Sequence, residues 1–296
     1  MTRTQIILAL AALAVSAGAE QPQFSFGVIA DVQYADKDTA GVREYRRSSG
    51  KLEQCAALLR KERPAFTIQL GDLVDGGLPN LDRILQVYRR MPAPRYHVLG
   101  NHDFCADRPT LLKHLDMPAA YYDFAVHGWR FVVLDSMQQS VAGSWPEDDP
   151  HAVAGRQLLE KLRASRAVNA QTWDGALGPE QREWLRGVLR KAGRQHERAI
   201  VFAHAPVLPE SCRPAHLLWD YREVLEILKA EPAVAAYVNG HDHLGGYAQQ
   251  DGIHFVTLPA VVEHEVSQSC QVMDVFPDRL VLRQAGTAAG RALQLR

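Results

Sequence analysis

Val98-Leu99-Gly100-Asn101-His102-Asp103 is the stretch that decides how the rest of the sequence is interpreted. An apolar run ends in glycine, and an amide, an imidazole and a carboxylate follow without a spacer. Asn and Asp are also common in tight polar turns, so the stretch alone is compatible with a plain turn. If the apolar run is a strand, its polar side chains lie at the carboxyl end, where open α/β sheets bind their ligands.

Four other apolar segments end in the same kinds of side chain, namely Asp31 and Gln33, Asp72 and Asp75, His204, and His241 and His243. A single Asp after a strand is ordinarily a turn former or a helix cap, and the His pair could belong to a polar loop. Alternate residues such as 31 and 33, or 241 and 243, point the same way only in extended backbone, and each of these pairs can then bind one centre. Five such clusters favour a shared metal site. Carboxylate, amide and imidazole donors without a thiolate suit Mn, Fe(II) or Zn.

The hydrophobic periodicity predicts an α/β fold built from βαβ units. Strands are predicted at 24–30, 65–70, 95–99, 121–126, 129–135, 198–203, 234–238, 253–258, 270–276 and 279–284. Helices are predicted at 49–62, 81–90, 179–191 and 221–229. The strands at 121–126 and 129–135 form a predicted hairpin.

Residues 137–178 interrupt this alternation. They contain Pro146, Pro150 and a run of acidic residues, with one helical stretch at 158–167. We therefore predict one domain over residues 20–296 with a lid-like insertion at about 137–178. Trp145 and Trp173 in this insertion could stack on a base, or could simply pack.

Composition and charge narrow the possible partners. The 296 residues are 47% hydrophobic and 23% charged, which is ordinary for a globular chain with a large core. The formal net charge of −1 provides no bulk attraction for nucleic acid, so no nucleic-acid partner is expected. The oligomeric state stays open.

Residues 1–19 have the pattern of a secretory signal peptide. Arg3 precedes an apolar run over 6–15, and Ala17-Gly18-Ala19 offers an Ala-x-Ala cleavage site before Glu20. A membrane anchor is the alternative, but about 10 apolar residues are few for a bilayer span. We expect cleavage between Ala19 and Glu20, a secreted or periplasmic protein, and no membrane attachment after cleavage.

The four cysteines are Cys55, Cys105, Cys212 and Cys270, and none forms a C-x-x-C pair. This excludes zinc-ribbon and redox motifs. An oxidising compartment permits disulfides, and four cysteines allow three pairings. Cys105 and Cys212 could form a bridge if both loops border one site, and free half-buried thiols are the alternative.

Taken together, the strand-end residues resemble the calcineurin-like metallophosphoesterases, whose pattern is D-x-H, G-D-x-x-D, G-N-H-[DE], a single H and G-H-x-H. At those positions this chain has Asp31-Val32-Gln33, Gly71-Asp72-Leu73-Val74-Asp75, Gly100-Asn101-His102-Asp103, His204 and Gly240-His241-Asp242-His243. The resemblance extends from residue 24 to about residue 285. It implies a four-layer α/β/β/α sandwich of two mixed sheets flanked by helices.

One position departs from the pattern, because Gln33 stands where the family has His. An amide oxygen is a neutral, hard donor, so we expect a weaker first metal site or a shift of that site from zinc-like towards manganese-like ions. At this position the chain resembles one subgroup, the manganese-dependent ADP-ribose/CDP-alcohol diphosphatases. They have Asp-Ile-Gln-Tyr-Ala-Asp where residues 31–36 of this chain are Asp-Val-Gln-Tyr-Ala-Asp. This resemblance implies a small phosphorylated nucleotide-type substrate with a pyrophosphate linkage, such as ADP-ribose or a CDP-alcohol.

The resemblance also implies roles. Two divalent ions, manganese first with iron or zinc as alternatives, would be bound on one side by Asp31, Gln33 and His243 and on the other by Asn101, His204 and His241, with Asp72 bridging them. A hydroxide between the ions would attack phosphorus in line. His102 would protonate the leaving oxygen while Asp103 holds its ring. A purely structural His102 is the alternative.

Substrate contacts complete the set of candidates. Arg43 and Arg46 could receive a second phosphate, Asn101 could contact the substrate, and Tyr34 could stack on a base. A solvated charged face and plain packing are the alternative explanations. Two other functions stay open at this point: a broad-specificity phosphomonoesterase or phosphodiesterase, and an inactive metal-bound module that binds phosphorylated ligands.

Overall fold

The structure, a computed structural model, describes residues 20–296, so the predicted signal peptide lies outside the described residues. The strands of the described chain are β1 (Phe24–Ile29), β2 (Phe66–Gln69), β3 (Arg95–His97), β4 (Tyr122–Val126), β5 (Trp129–Val133), β6 (Arg198–Ala203), β7 (Val234–Asn239), β8 (Gly246–Gln250), β9 (Ile253–Thr257), β10 (Gln271–Val275), β11 (Arg279–Gln284) and β12 (Gly290–Gln294). The helices are α1 (Ser48–Glu62), α2 (Leu78–Tyr88), α3 (Arg108–His114), α4 (Pro150–Ala164), α5 (Pro179–Arg194), α6 (Tyr221–Ala230) and α7 (Val266–Ser269). Two 3₁₀ turns lie at Pro209–Ser211 and Pro214–His216.

The strands form two mixed sheets. The first has the order β12-β11-β10-β1-β2-β3, in which β1, β2 and β3 are parallel and the pairs from β1 to β12 are antiparallel. The second has the order β4-β5-β6-β7-β9-β8, in which β5, β6, β7 and β9 are parallel and the edge strands β4 and β8 are antiparallel to their neighbours. Parallel neighbours require long crossover connections, and most of the helices lie in these connections.

The core between the two sheets is aromatic. Phe26 and Phe66 of the first sheet stack with ring centroids 4.8 Å apart, and Phe66 meets Phe131 of the second sheet edge-on, also at 4.8 Å. Phe131 stacks on Phe202 at 6.0 Å. Because successive side chains of a strand point to opposite faces, Ile29 of β1 lies on the other side of its sheet, in the apolar layer beneath α1 and α2.

Helices cover both outer faces. Leu52 of α1 and Ile84 of α2 pack on the first sheet, whereas Leu185 and Leu189 of α5 pack on the second. The predicted four-layer α/β/β/α sandwich is therefore confirmed. None of the helices within residues 20–296 combines the length and apolar composition that a bilayer span requires.

Several element boundaries differ from the sequence prediction. The helix inside the insertion begins at Pro150 rather than at 158, because the side chain of Asp149 caps it by accepting a hydrogen bond from the His151 N–H at 2.8 Å. Helix α3 and strands β8 and β12 are not predicted at all. Helix α3 is short, β8 and β12 are edge strands, and β12 is mostly exposed, so none has a strong hydrophobic period.

Cys55 and Cys270 form a disulfide with Cα atoms 5.5 Å apart. Cys55 lies on the buried face of α1, and Cys270 directly precedes β10, so the bridge fastens the helix to the first sheet. Of the two alternatives for Cys105 and Cys212, a bridge or free half-buried thiols, the structure has the second, since both residues are free and half-buried. The thiol of Cys212 donates instead to the carbonyl oxygen of Leu208 at 3.6 Å.

Candidate metal centre

The candidate ligands meet where strands of both sheets end. Asp31 and Gln33 follow β1, Asp72 follows β2, and Asn101 follows β3, all in the first sheet. From the second sheet, His204 follows β6 directly, and His241 and His243 follow β7. Because these strands run in parallel within each sheet, their carboxyl ends bring seven side chains to one edge of the sandwich.

One half of the cluster is formed by Asp72, His204 and His241, whose ligand atoms all lie within 4.8 Å of one another. The Nε2 atom of His204 lies 3.4 Å from Asp72 Oδ2 and 3.0 Å from His241 Nδ1. It also lies 3.2 Å from the amide oxygen of Asn101. Two imidazole nitrogens, a carboxylate and an amide oxygen therefore converge on one buried point.

The other half is formed by Asp31, Gln33 and His243, with Asp72 shared between the two. Gln33 Nε2 lies 3.0 Å from Asp72 Oδ2 and 3.1 Å from His243 Nε2. Asp31 Oδ1 lies 3.5 Å from the same His243 nitrogen. Both Asp31 Oδ1 and Gln33 Oε1 are buried and accept no hydrogen bond. A buried acceptor without a partner is costly, and a bound cation would satisfy both oxygens.

The electrostatics of the cluster also suit a cation. Burial opposes charge on His204, but the neighbouring Asp72 raises its pKa to about 10. Burial and the charge on His204 hold the pKa of His241 well below its usual range. The carboxylates thus stabilise a positive charge on His204, whereas His241 stays neutral. A buried cluster that stabilises positive charge beside carboxylates and a neutral imidazole suits a divalent ion.

Four of the candidate ligands have left-handed backbone: Asp31, Gln33, Asp72 and His241, with φ values of 54°, 42°, 56° and 69°. Residues other than glycine pay about 1–3 kcal/mol for such strain, which is typically retained at functional sites. The expectation that Asp31 and Gln33 share a direction through extended backbone is therefore wrong. Tight turns after the strands, rather than the strands themselves, aim these side chains.

Two motif glycines are required by the packing of the ligands. A Cβ atom on Gly100 would overlap Oδ1 of Asp72, and one on Gly240 would overlap Oδ2 of Asp31. Any side chain at either position would displace a carboxylate from the cluster. The glycines before Asn101 and His241 therefore belong to the geometry of the site and not only to its turns.

Each histidine of the cluster is held through its second ring nitrogen. His204 Nδ1 lies 2.8 Å from the carbonyl oxygen of Leu70, and His243 Nδ1 lies 2.6 Å from Glu263 Oε1. His241 Nε2 lies 2.8 Å from Asp174 Oδ1. Such partners fix the ring orientation and leave the opposite nitrogen facing the cluster. Neither Asp174 nor Glu263 is predicted from the sequence, because each is a single acidic residue without a motif.

His102 stands at the edge of the cluster, and its partner is not the predicted one. Its Nδ1 atom lies 3.4 Å from Asp75 Oδ1. Burial alone would lower the pKa of His102, but the carboxylates of Asp72 and Asp75 raise it above its usual range. Burial in turn opposes the charge on Asp75, yet hydrogen bonds from His102 and Lys37 hold its pKa at about 2.

The prediction that Asp103 holds the His102 ring is wrong. The Asp103 side chain is fully buried and accepts backbone N–H groups from Gly100, Asp72 and Leu73 at 2.8–2.9 Å. Its carboxylate is thereby occupied by the loop that carries Asp72. The role of Asp103 is to shape that loop, so it acts on the cluster through backbone geometry.

A pocket of about 350 Å³ opens over the cluster and is lined by Gln33, Arg43, Asp72, Asn101, His102, Trp173, His216, His241 and His243. Arg43, a predicted substrate contact, thus lies at this pocket, and its Nε donates to Glu263 at 3.3 Å. Trp173, one of the insertion tryptophans, is 42% exposed at this pocket. His216 is a pocket residue that sequence patterns miss. A larger cavity of about 510 Å³ borders α4 and α6, and no candidate ligand lines it.

Two predicted substrate contacts are not at the pocket. Tyr34 is 1% exposed and belongs to the core beneath α1, so its ring cannot stack on a base. Arg46 is exposed and pairs with Asp36 and Asp38, both at 2.7 Å. The alternative explanations, plain packing for Tyr34 and a solvated charged face for Arg46, are the ones that the structure supports.

Comparison with known proteins gives consistent matches over the described chain. The family described as "Calcineurin-like phosphoesterase" matches residues 24–245. A manganese-dependent ADP-ribose/CDP-alcohol diphosphatase from Oryza sativa subsp. japonica is 34% identical, over 90% of this chain and 93% of that protein. The protein of the same name from Arabidopsis thaliana is 33% identical over 90% of this chain and 96% of its own length.

Among solved structures, a dimetal phosphatase from Danio rerio superposes with a TM-score of 0.83 at 28% identity, covering 93% of this chain and 100% of that one. GAP50, described as the anchor in the inner membrane complex of Plasmodium, has a TM-score of 0.56 at 16% identity, over 93% of this chain and 90% of its own. The second likeness concerns the fold alone, and it shows that this fold also occurs in a protein described as an anchor. Function must therefore be argued from the site.

Proposed function

We propose that this chain, which belongs to the calcineurin-like phosphoesterase family and is a metal-dependent hydrolase, uses Mn²⁺ to cleave the pyrophosphate linkage of nucleoside-diphosphate-linked compounds. The observation that carries the proposal is Gln33, whose amide lies inside the ligand cluster where the family pattern has an imidazole. The diphosphatases that match nearly the whole chain have manganese, ADP-ribose and CDP-alcohols in their name.

The donor set fits two ions. Asp31, Gln33 and His243 would hold one and Asn101, His204 and His241 the other, with Asp72 shared. The buried Asp31 Oδ1 and Gln33 Oε1 atoms, which accept no hydrogen bond, would then have a partner. Amide and carboxylate oxygens together with imidazoles, and without a thiolate, suit Mn²⁺. When bound, such ions lower the pKa of a water molecule and neutralise charge on the phosphoryl oxygens.

His102 is the residue we assign to the leaving oxygen. It lines the pocket, and Asp75 holds its Nδ1, so Nε2 is left for the substrate. The carboxylates of Asp72 and Asp75 raise the pKa of His102, which favours the protonated ring that a general acid requires. The link from Asp75 to Lys37 at 2.7 Å fixes the orienting carboxylate in turn.

The pocket walls suit the remainder of a nucleotide. Arg43 provides a cation for a second phosphate, and its bond to Glu263 limits its motion. On the insertion side, the exposed ring of Trp173 offers a stacking surface for a base. A substrate with two phosphates and a base would use all three parts of the site, whereas a simple monoester would use only the ligand cluster.

A substrate panel tests this proposal. The purified protein with Mn²⁺ should hydrolyse ADP-ribose and CDP-choline far faster than p-nitrophenyl phosphate and bis(p-nitrophenyl) phosphate. Equal or reversed rates would favour a broad-specificity phosphomonoesterase or phosphodiesterase. No turnover of any phosphoester by a protein that binds Mn²⁺ would favour an inactive binding module. Asn101→Ala is the matched variant, which should lose activity and keep its circular dichroism spectrum.

We also propose that the protein works outside the cytoplasm. The Cys55–Cys270 disulfide supports this, because such bridges persist in oxidising compartments. The protein expressed in a Gram-negative host with residues 1–19 in place should appear in the periplasmic fraction with Glu20 as its first residue. A cytoplasmic product that retains residues 1–19 would contradict the proposal.

A further inference from the structure

Asp174 of the insertion reaches the ligand cluster from outside both sheets. Its side chain is completely buried, and its Oδ1 atom lies 2.8 Å from Nε2 of His241. Its second oxygen, Oδ2, is also buried and accepts no hydrogen bond. Within the described chain it forms no ion pair with a lysine or arginine, so its contact with His241 is its principal polar interaction.

The backbone around Asp174 is firmly held. Its carbonyl oxygen accepts the Ser140 hydroxyl at 2.8 Å, and the carbonyl of Gly175 accepts the Trp219 N–H at 2.7 Å. Ala176 exchanges two backbone hydrogen bonds with Gln139, both at 3.0 Å. Because these bonds tie the segment to the beginning of the insertion and to the residues that precede α6, the side chain of Asp174 is held in one place.

The tautomer of His241 decides whether it can bind a cation. A metal ligand needs a lone pair on the nitrogen that faces the cluster, which is Nδ1, so the ring proton must reside on Nε2. The competing tautomer carries its proton on Nδ1 and so has no lone pair facing the cluster, where His204 Nε2 lies 3.0 Å away. An acceptor at Nε2 favours the tautomer that can bind a cation, and Asp174 Oδ1 is in that position at 2.8 Å.

We propose that Asp174 is a positioning residue that holds His241 in the tautomer with Nδ1 free for the cation. The insertion then supplies part of the metal centre and is more than a lid over it. The inference rests on the proposed metal site, but it concerns the ring of one histidine and has a readout of its own.

The two halves of the cluster differ in the carboxylate that holds their histidine. His243 has an equivalent partner in Glu263, but that carboxylate also bonds to Arg43 at 3.3 Å, which draws part of its charge away. Asp174 is shared with no cation of the described chain. Removal of Asp174 should therefore weaken the His241 half selectively, and the His243 half serves as the internal reference.

Mn²⁺ binding, followed by calorimetry and by the electron paramagnetic resonance signal of free Mn²⁺, is the first test. Asp174→Ala should lose about 10- to 100-fold in affinity at one of two sites and keep the other, as expected when a partner of a metal-binding histidine is removed. Asp174→Asn keeps the volume and an acceptor oxygen and should recover part of the loss. Asp148→Asn, at an exposed position of the same insertion, makes the same chemical change and should bind Mn²⁺ as the parent protein does.

The ring itself is the second readout. Imidazole ¹⁵N spectra of the metal-free protein should show His241 protonated at Nε2, and a larger fraction protonated at Nδ1 in Asp174→Ala. An unchanged tautomer together with unchanged affinity at both sites would overturn the inference. A parent protein that binds no Mn²⁺ would overturn the proposed function instead, while the tautomer measurement would still test Asp174. Should Asp174→Ala fail to fold, the isosteric Asp174→Asn carries both measurements.

Discussion

Asp103→Asn should destabilise the fold, although the change replaces only one carboxylate oxygen by an amide nitrogen. In the parent protein Asp103 Oδ2 accepts the N–H groups of Asp72 and Gly100 at 2.8 and 2.9 Å, and Oδ1 accepts that of Leu73 at 2.8 Å. An asparagine has one acceptor oxygen. Whichever way its amide is turned, its NH₂ group faces backbone donors in a fully buried place.

The magnitude follows from counting the orphaned groups. If the amide nitrogen takes the Oδ2 position, the N–H groups of Asp72 and Gly100 both lose their acceptor. A buried donor without a partner costs about 1–3 kcal/mol, so the variant should lose about 2–6 kcal/mol of unfolding free energy. The alternative orientation orphans the N–H of Leu73 and weakens that of Val74, at 3.3 Å, which costs a similar amount.

Urea unfolding of the metal-free protein, followed by circular dichroism at pH 8, measures this loss. Burial and the charge of Asp72 raise the pKa of Asp103 to about 7, so at pH 8 the parent carboxylate is ionised. Asp75→Asn is the matched control, because Asp75 bonds to the side chains of Lys37 and His102 near the surface. It should lose less than about 1 kcal/mol yet lose activity, since His102 loses its orienting partner. Equal stabilities of the two variants would refute the assignment of Asp103 to the loop.

Three further predictions concern other parts of the chain. Stability should fall below pH 6.5, because burial lowers the pKa of His97 from its ordinary 6.5 to about 3, so that only the unfolded chain takes up a proton in that range. The loss at pH 5 is about 2 kcal/mol, and His97→Gln should flatten this acid limb in urea unfolding measured from pH 8 to pH 5. The Cys55→Ser/Cys270→Ser double variant should lose up to about 5 kcal/mol on a chain-entropy estimate for a bridge across 215 residues, and an unchanged thermal midpoint would contradict a structural role. Arg43→Ala should raise KM for ADP-ribose more than for p-nitrophenyl phosphate, whereas Arg46→Ala, outside the pocket, should change neither KM.

The fold could be predicted because most of its parallel strands are buried apolar runs. Strands β6 and β11 have the predicted limits. Helices α1 and α2 on one outer face, and α5 and α6 on the other, lie where the amphipathic patterns predict them. The missed elements are those whose stability comes from neighbours. Strand β12 exposes most of its side chains and is held by its ladder with β11, so no periodicity marks it.

The ligand cluster could be predicted because strand direction alone brings the ends of parallel strands together. Asp72 and His204 could be assigned as candidate ligands because each follows a buried strand. The directions of neighbouring side chains within a turn could not be predicted in this way. His102 and Asp103 are adjacent, yet one lines the pocket and the other bonds to the loop at Asp72. Adjacency in sequence suggested a pair, and the backbone of the turn separates them.

The residues that hold the ligands were beyond prediction for a related reason. Asp174 is separated by 67 residues from His241, and Glu263 by 20 from His243. Each contact exists only once the two sheets have packed and the insertion and the β9–β10 connection have closed over their edge. The donors of such a site follow local rules, whereas their partners follow from the tertiary structure. Partners of this kind can differ between proteins that have the same metal ligands. Such differences can give two centres with identical ligands different metal affinities.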